Sequence, residues 1–216
     1  MDSLHFCIAV VPLAAYMLMV AWINLRRYPF LTTGARDLAA LAIGISGLMI
    51  AGPLELFLPE SLAAAVGGWV WLPLLTLYAL VVTLILLLAR PRLVVYNIGV
   101  DRLRPILKQI SHELDSNARW AGDSVWLPEL GISLAIDAQP GISNVTLASV
   151  SNDQNLDGWA LLRKTLSASL KESQQPPNVQ GVSFMVLAIF LTLVVVYSLF
   201  TGRQEIAQSF RQMLRM

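Results

Sequence analysis

Four long apolar runs, at residues 6–23, 38–58, 69–89 and 182–200, constrain this chain more than any other feature. A helix rises about 1.5 Å per residue, so about 20 apolar residues match a hydrocarbon layer roughly 30 Å thick. A helix also satisfies its own backbone polar groups where no water is present. The runs predict four transmembrane helices in a 3+1 arrangement. A soluble α+β domain is inserted between the third and the fourth.

Charge distribution supports the insert. Only 13% of the 216 residues are charged, against about 25% in ordinary soluble domains. The charges concentrate between residues 90 and 172, which hold Lys108, Lys164 and Lys171 and as many acidic as basic residues. So balanced a stretch predicts no basic face and hence no nucleic-acid partner, because nucleic acid requires clustered positive charge. The single cysteine, Cys7, lies in the first run. It excludes a disulfide within the chain and reads as a small packed hydrophobe. No Lys or Arg precedes the first run, and Arg26-Arg27 follow it. That is the pattern of a retained anchor rather than a cleaved signal.

Orientation follows from the arginines. Arg26, Arg27 and Arg36 lie after the first run, none follows the second, and Arg90 and Arg92 follow the third. The positive-inside rule then puts the first loop and the central domain in the cytoplasm and the N-terminus outside. The layout is similar to that of bacterial multi-pass proteins with a small cytoplasmic insert, without a shared motif. The expected location is the cell inner membrane, with membrane lipids as partners. Residues 201–216 pattern as a basic amphipathic tail, with Ile206, Phe210, Met213 and Leu214 on one face and Arg203, Arg211 and Arg215 on the other. Those arginines favour the cytoplasm, whereas four crossings place the tail outside; early spans usually dominate orientation.

Within the runs, Ala40, Gly44, Gly47 and Ala51 recur on one helical face. Such a stripe admits close helix packing, which is compatible with a protein partner or a homo-oligomer. Pro12, Pro53 and Pro73 are expected to interrupt the first three spans. Glu55 is the only acidic residue inside a run. An intramembrane carboxylate is a candidate functional group, although Glu55 is close enough to the end of its run to reach the interface.

The central stretch predicts β-α-β-β-β-β-α over residues 90–172, giving a mostly antiparallel sheet plus two helices. The first helix has Leu103, Leu107 and Ile110 on one face, and the last has Trp159, Leu162, Leu166 and Leu170. Residues 173–181 read as a polar linker to the fourth span. No phosphate loop is present, His112-Glu113 lacks a second histidine, and no Cys/His cluster suits a metal. Asp123, Ser124 and Glu129 read as turn residues. Neither a catalytic residue nor a cofactor or metal site is expected. The leading expectation is a non-catalytic membrane subunit, scaffold or regulator whose cytoplasmic domain binds a protein. A small transporter or channel subunit using Glu55 is the alternative, and a membrane-bound enzyme a third possibility.

Overall fold

The computed structural model describes residues 3–54, 67–138, 143–151, 153–174 and 178–202. Among these the chain forms α1 (Ser3–Leu25), β1 (Phe30–Thr33), α2 (Gly34–Met49), a π-helical turn (Ile50–Leu54), a 3-10 turn (Gly67–Val70) and α3 (Trp71–Leu88). There follow β2 (Arg92–Tyr96), α4 (Val100–Leu114), β3 (Arg119–Ala121), β4 (Ser124–Leu127), β5 (Ile132–Ala138), β6 (Asn144–Ser149), α5 (Leu156–Glu172) and α6 (Val179–Thr201). Two compact units result. One comprises Met1–Val20, Ala39–Leu88 and Ser183–Met216, the other Ala21–Leu38 and Ala89–Val182.

Among the described residues four helices are long and apolar enough to cross a membrane: Ser3–Leu25, Gly34–Pro53, Trp71–Leu88 and Gly181–Thr201. Pro12 lies inside α1 and Pro53 inside the π-turn. Pro73 does not interrupt its span. It falls in the first turn of α3, where an N–H would have no partner within the helix, so the ring removes nothing.

In the helical unit, small side chains make the close contacts. A Cβ at Gly47 would run into the carbonyl oxygen of Ile8, and one at Gly44 would lie 2.7 Å from Cβ of Tyr16. Ala51 packs against a cluster of Cys7, Ala9, Val10 and Val195. The glycines of α2 therefore receive α1 of the same chain. Helix α6 also lies beside α1: Cys7 Sγ is 3.9 Å from Ser198 Oγ, and Gly202 sits against Ser3. Helix α3 buries no residue at all. Trp71, Leu74, Tyr78 and Val82 form its half-buried stripe, and Tyr78 Oη donates to the Ala42 carbonyl at 2.6 Å.

The second unit is built around a six-stranded sheet of order β1-β2-β6-β5-β4-β3. All its pairs are antiparallel, where a mostly antiparallel sheet was expected. From β2 to α5 the order is β-α-β-β-β-β-α. Alternation dictates which face is buried. Ile132, Leu134 and Ile136 of β5 and Val145 and Leu147 of β6 point inward, while Ser133, Ala135, Thr146 and Ala148 stay half-exposed. The inward residues join Leu103, Leu107 and Ile110 of α4 and Trp159, Leu162, Leu166 and Leu170 of α5 in one core. Each such fully buried side chain contributes about 1.5–3 kcal/mol relative to exposure.

Strand β1 departs from expectation. It lies in the connection between the first two apolar helices, which reads as a loop in the sequence. It pairs with β2 from Phe30↔Tyr96 to Thr33↔Leu93. Phe-Leu-Thr-Thr is too short to show a period of its own; the exposed edge of β2 makes it a strand.

Candidate functional site

The connection carrying β1 is tied to the sheet at three points. The β1–β2 ladder is the first. The second is Asn97, 2% exposed and in the left-handed region at φ 60, whose Nδ2 donates to the Arg26 carbonyl at 2.5 Å. Asparagine tolerates that backbone because its short polar side chain bonds locally; here the Asn97 N–H also donates to Asn144 Oδ1 at 3.3 Å. The third is Tyr96, whose hydroxyl donates to Asp37 in the first turn of α2.

These ties hold β1 across from α5, and a groove runs between them. Three cavities of about 710, 770 and 300 Å³ share wall residues along its length: Leu31, Ser167 and Lys171 between the first two, Thr33, Ala160 and Arg163 between the second and third. Helix periodicity makes the α5 wall. Trp159, Leu162, Leu166 and Leu170 face the core, which turns Ala160, Arg163, Lys164, Ser167, Ala168 and Lys171 to the groove. The small residues among these leave the space, and the long ones supply charge.

The groove is basic throughout. Arg26, Arg27 and Lys171 line one end, Arg36, Arg163 and Lys164 the middle, and Arg90 and Arg92 the other end; among the described residues no carboxylate lines any of the three cavities. Arg92 is pressed against Gly34, where any Cβ would overlap its side chain. Its Nε is buried without a hydrogen-bond acceptor. The charge count over residues 90–172 missed this surface, because Arg26, Arg27 and Arg36 come from the preceding connection. Asp157 and Glu172 balance the composition of α5 but do not line the groove.

The other candidates lie elsewhere. Glu55 is outside the described residues, as is the tail from residue 203. Gly44 and Gly47, with Ala51, make the α1 contact inside the helical unit, and Ala40 is half-buried on the same helix. His112 is exposed on α4. Asp123 forms an ion pair with Arg104. Glu129 Oε1 accepts from Ser116 Oγ at 3.0 Å and Asn117 Nδ2 at 2.8 Å. The buried Asp115 accepts from the Asn117 and Glu129 N–H groups, each at 2.8 Å. Gln154 accepts from the Trp159 indole at 2.9 Å and donates to Ser133 Oγ at 3.0 Å. These polar groups serve turns and helix ends. Among the described residues no three His, Cys, Asp or Glu side chains cluster as a metal site would need.

Compared with protein-family models, curated proteins and solved structures, the chain matches none.

Proposed function

We propose that this chain is a non-catalytic integral membrane protein, a subunit, scaffold or regulator whose cytoplasmic domain binds a protein partner. One observation carries the partner reading. Of the large apolar side chains exposed among the described residues of 92–174, namely Trp126, Val150, Leu156 and Leu161, only Trp126 lies in the sheet. Its indole is 48% exposed on β4, away from the helices, with the Arg119 guanidinium 5.5 Å from the ring centroid. Exposed tryptophans beside arginines are the residue types that anchor protein interfaces.

Photo-crosslinking tests this. A crosslinking residue at Ser133, opposite Trp126 across β4 and β5, should capture one stoichiometric partner, and Trp126→Ala should abolish the adduct. Capture of nothing at Ser133 would sink the reading, and capture of only this chain would replace the partner with a second copy. Sidedness is checked separately with cysteines at Ser61 and Ser116 and an impermeant reagent. Only Ser61 should label from outside; equal labelling in intact cells would overturn the orientation.

One observation favours the transporter or channel alternative. The second apolar helix runs into the π-turn Ile50–Leu54, which in sequence immediately precedes Glu55, and such turns are frequent at functional sites. Loss of cellular function in Glu55→Gln at normal expression would promote that alternative over the leading one.

A further inference from the structure

We propose that the groove between β1 and α5 binds the phosphate of an anionic lipid headgroup. The inference rests on the membrane reading of the four helices and assigns a ligand that reading does not require.

Position is the first argument. Arg26 and Arg27 follow the last turn of α1, Thr33 and Arg36 flank the start of α2, and Arg90 and Arg92 follow the end of α3. If those helices span, this wall of the groove lies where a bilayer places its headgroups. Cations near span ends are common for topological reasons alone. That bias does not build a second wall. Here Arg163, Lys164 and Lys171 stand across the cavity on α5, and side chains from both walls line the same spaces.

Chemistry is the second. Arginine presents a planar fork of donors that matches phosphate oxygens two at a time, and lysine adds point charge. None of the eight cations that line the groove forms an ion pair among the described residues. Like charges gathered along one surface repel, weakly where water screens them, and an anion relieves that repulsion. The buried, unaccepted Nε of Arg92 points the same way.

Shape favours a lipid over free phosphate. At the Arg26 end the cationic groups sit beside Tyr28, Pro29, Phe30 and Leu31. A charged rim beside an apolar and aromatic floor suits an amphiphile, whose phosphate takes the arginines while its glycerol and first methylenes take the floor.

The test uses the full-length protein, purified in mild detergent and stripped of lipid, with binding read by native mass spectrometry and thermal shift. The probes are dioctanoyl phosphatidate, dioctanoyl phosphatidylcholine, inorganic phosphate and oligoglutamate. Phosphatidate should bind at least about tenfold more tightly than phosphatidylcholine, the factor expected from one added charge-assisted contact. Arg163→Gln and Lys164→Gln should each weaken phosphatidate by a similar factor. Both side chains are exposed, so the fold should tolerate their loss. Lys108→Gln, outside the groove, should change nothing. Inorganic phosphate binding as tightly as phosphatidate would overturn the lipid source. Oligoglutamate doing so would overturn the phosphate chemistry in favour of an acidic protein segment. No headgroup preference, or equal losses in all three variants, would overturn the site. Resistance to extraction by alkaline carbonate reports membrane insertion on its own, so failure of the site and failure of the membrane reading are distinguishable.

Discussion

In the sheet unit the side chains removed from solvent are large: Leu127, Leu134, Leu147, Leu162 and Leu166 are all 0% exposed. In the helical unit they are mostly small, with Cys7, Ala9, Ala14, Ala42 and Ala188 buried, while Leu80, Leu87 and Phe190 stand 60% exposed or more. The same residue type, leucine, is core in one unit and periphery in the other. Water explains the first arrangement, since apolar area leaves it at about 25 cal/mol per Å². On the membrane reading, a hydrocarbon surround explains the second. Lipid is as apolar as leucine, so helices gain by close backbone approach rather than by hiding leucine.

The sharpest way to break this comparison is to remove volume in the sheet unit. Leu134→Ala should cost about 2–5 kcal/mol, the range for a buried leucine whose cavity only partly collapses. Denaturant unfolding followed by tryptophan fluorescence would read it. Adding volume to the helical unit is next. Gly47→Leu should cost about 1–3 kcal/mol by forcing α2 off the Ile8 carbonyl, seen as lost monodispersity and a lower melting temperature in detergent. If Gly47→Leu were silent, small-residue packing of α1 on α2 would be wrong.

A smaller effect is expected where β1 is tied down. Asn97→Gly keeps the left-handed backbone and loses the bond to the Arg26 carbonyl, a loss of about 1 kcal/mol. Asn97→Ala should cost more, by roughly the additional 1 kcal/mol of a non-glycine residue at positive φ. Hydrogen exchange at the Thr32 amide, which faces Val94 of β2, should speed up in both. The smallest effect belongs to α3: Leu84→Ala, at a position 56% exposed, should stay within about 0.5 kcal/mol. A loss at Leu84 as large as at Leu134 would erase the distinction between the units.

Much of this was legible in the sequence because single segments carried it. The apolar runs announce helices by length alone, β5 and β6 by alternation, and α4 and α5 by helical spacing. What was not legible required two segments at once. Phe30–Thr33 has four residues and no pattern, so only the edge of β2 reveals it. The stripe at Gly44 and Gly47 signals close approach but not by which helix; the answer, α1, depends on three-dimensional packing. The basic groove was hidden twice over. Its cations come from three stretches of chain, and on α5 Asp157 and Glu172 offset two of the three cations in the composition without lining the groove.

Pairing between β1 and β2 also bears on how the chain is made. About 60 residues separate the two strands, and at roughly 5–20 residues per second several seconds of translation pass before β1 can meet its neighbour. In that interval α2 and α3 must both enter the bilayer, on the membrane reading. A chain that left one of them out would put β1 and β2 on opposite faces of the membrane. On that reading the ladder from Phe30↔Tyr96 to Thr33↔Leu93 cannot close in a chain that inserts just one of the two helices. On that reading β1 serves as a built-in proofreader of biogenesis, and a chain that threads only one of α2 and α3 is left with an open edge at β2.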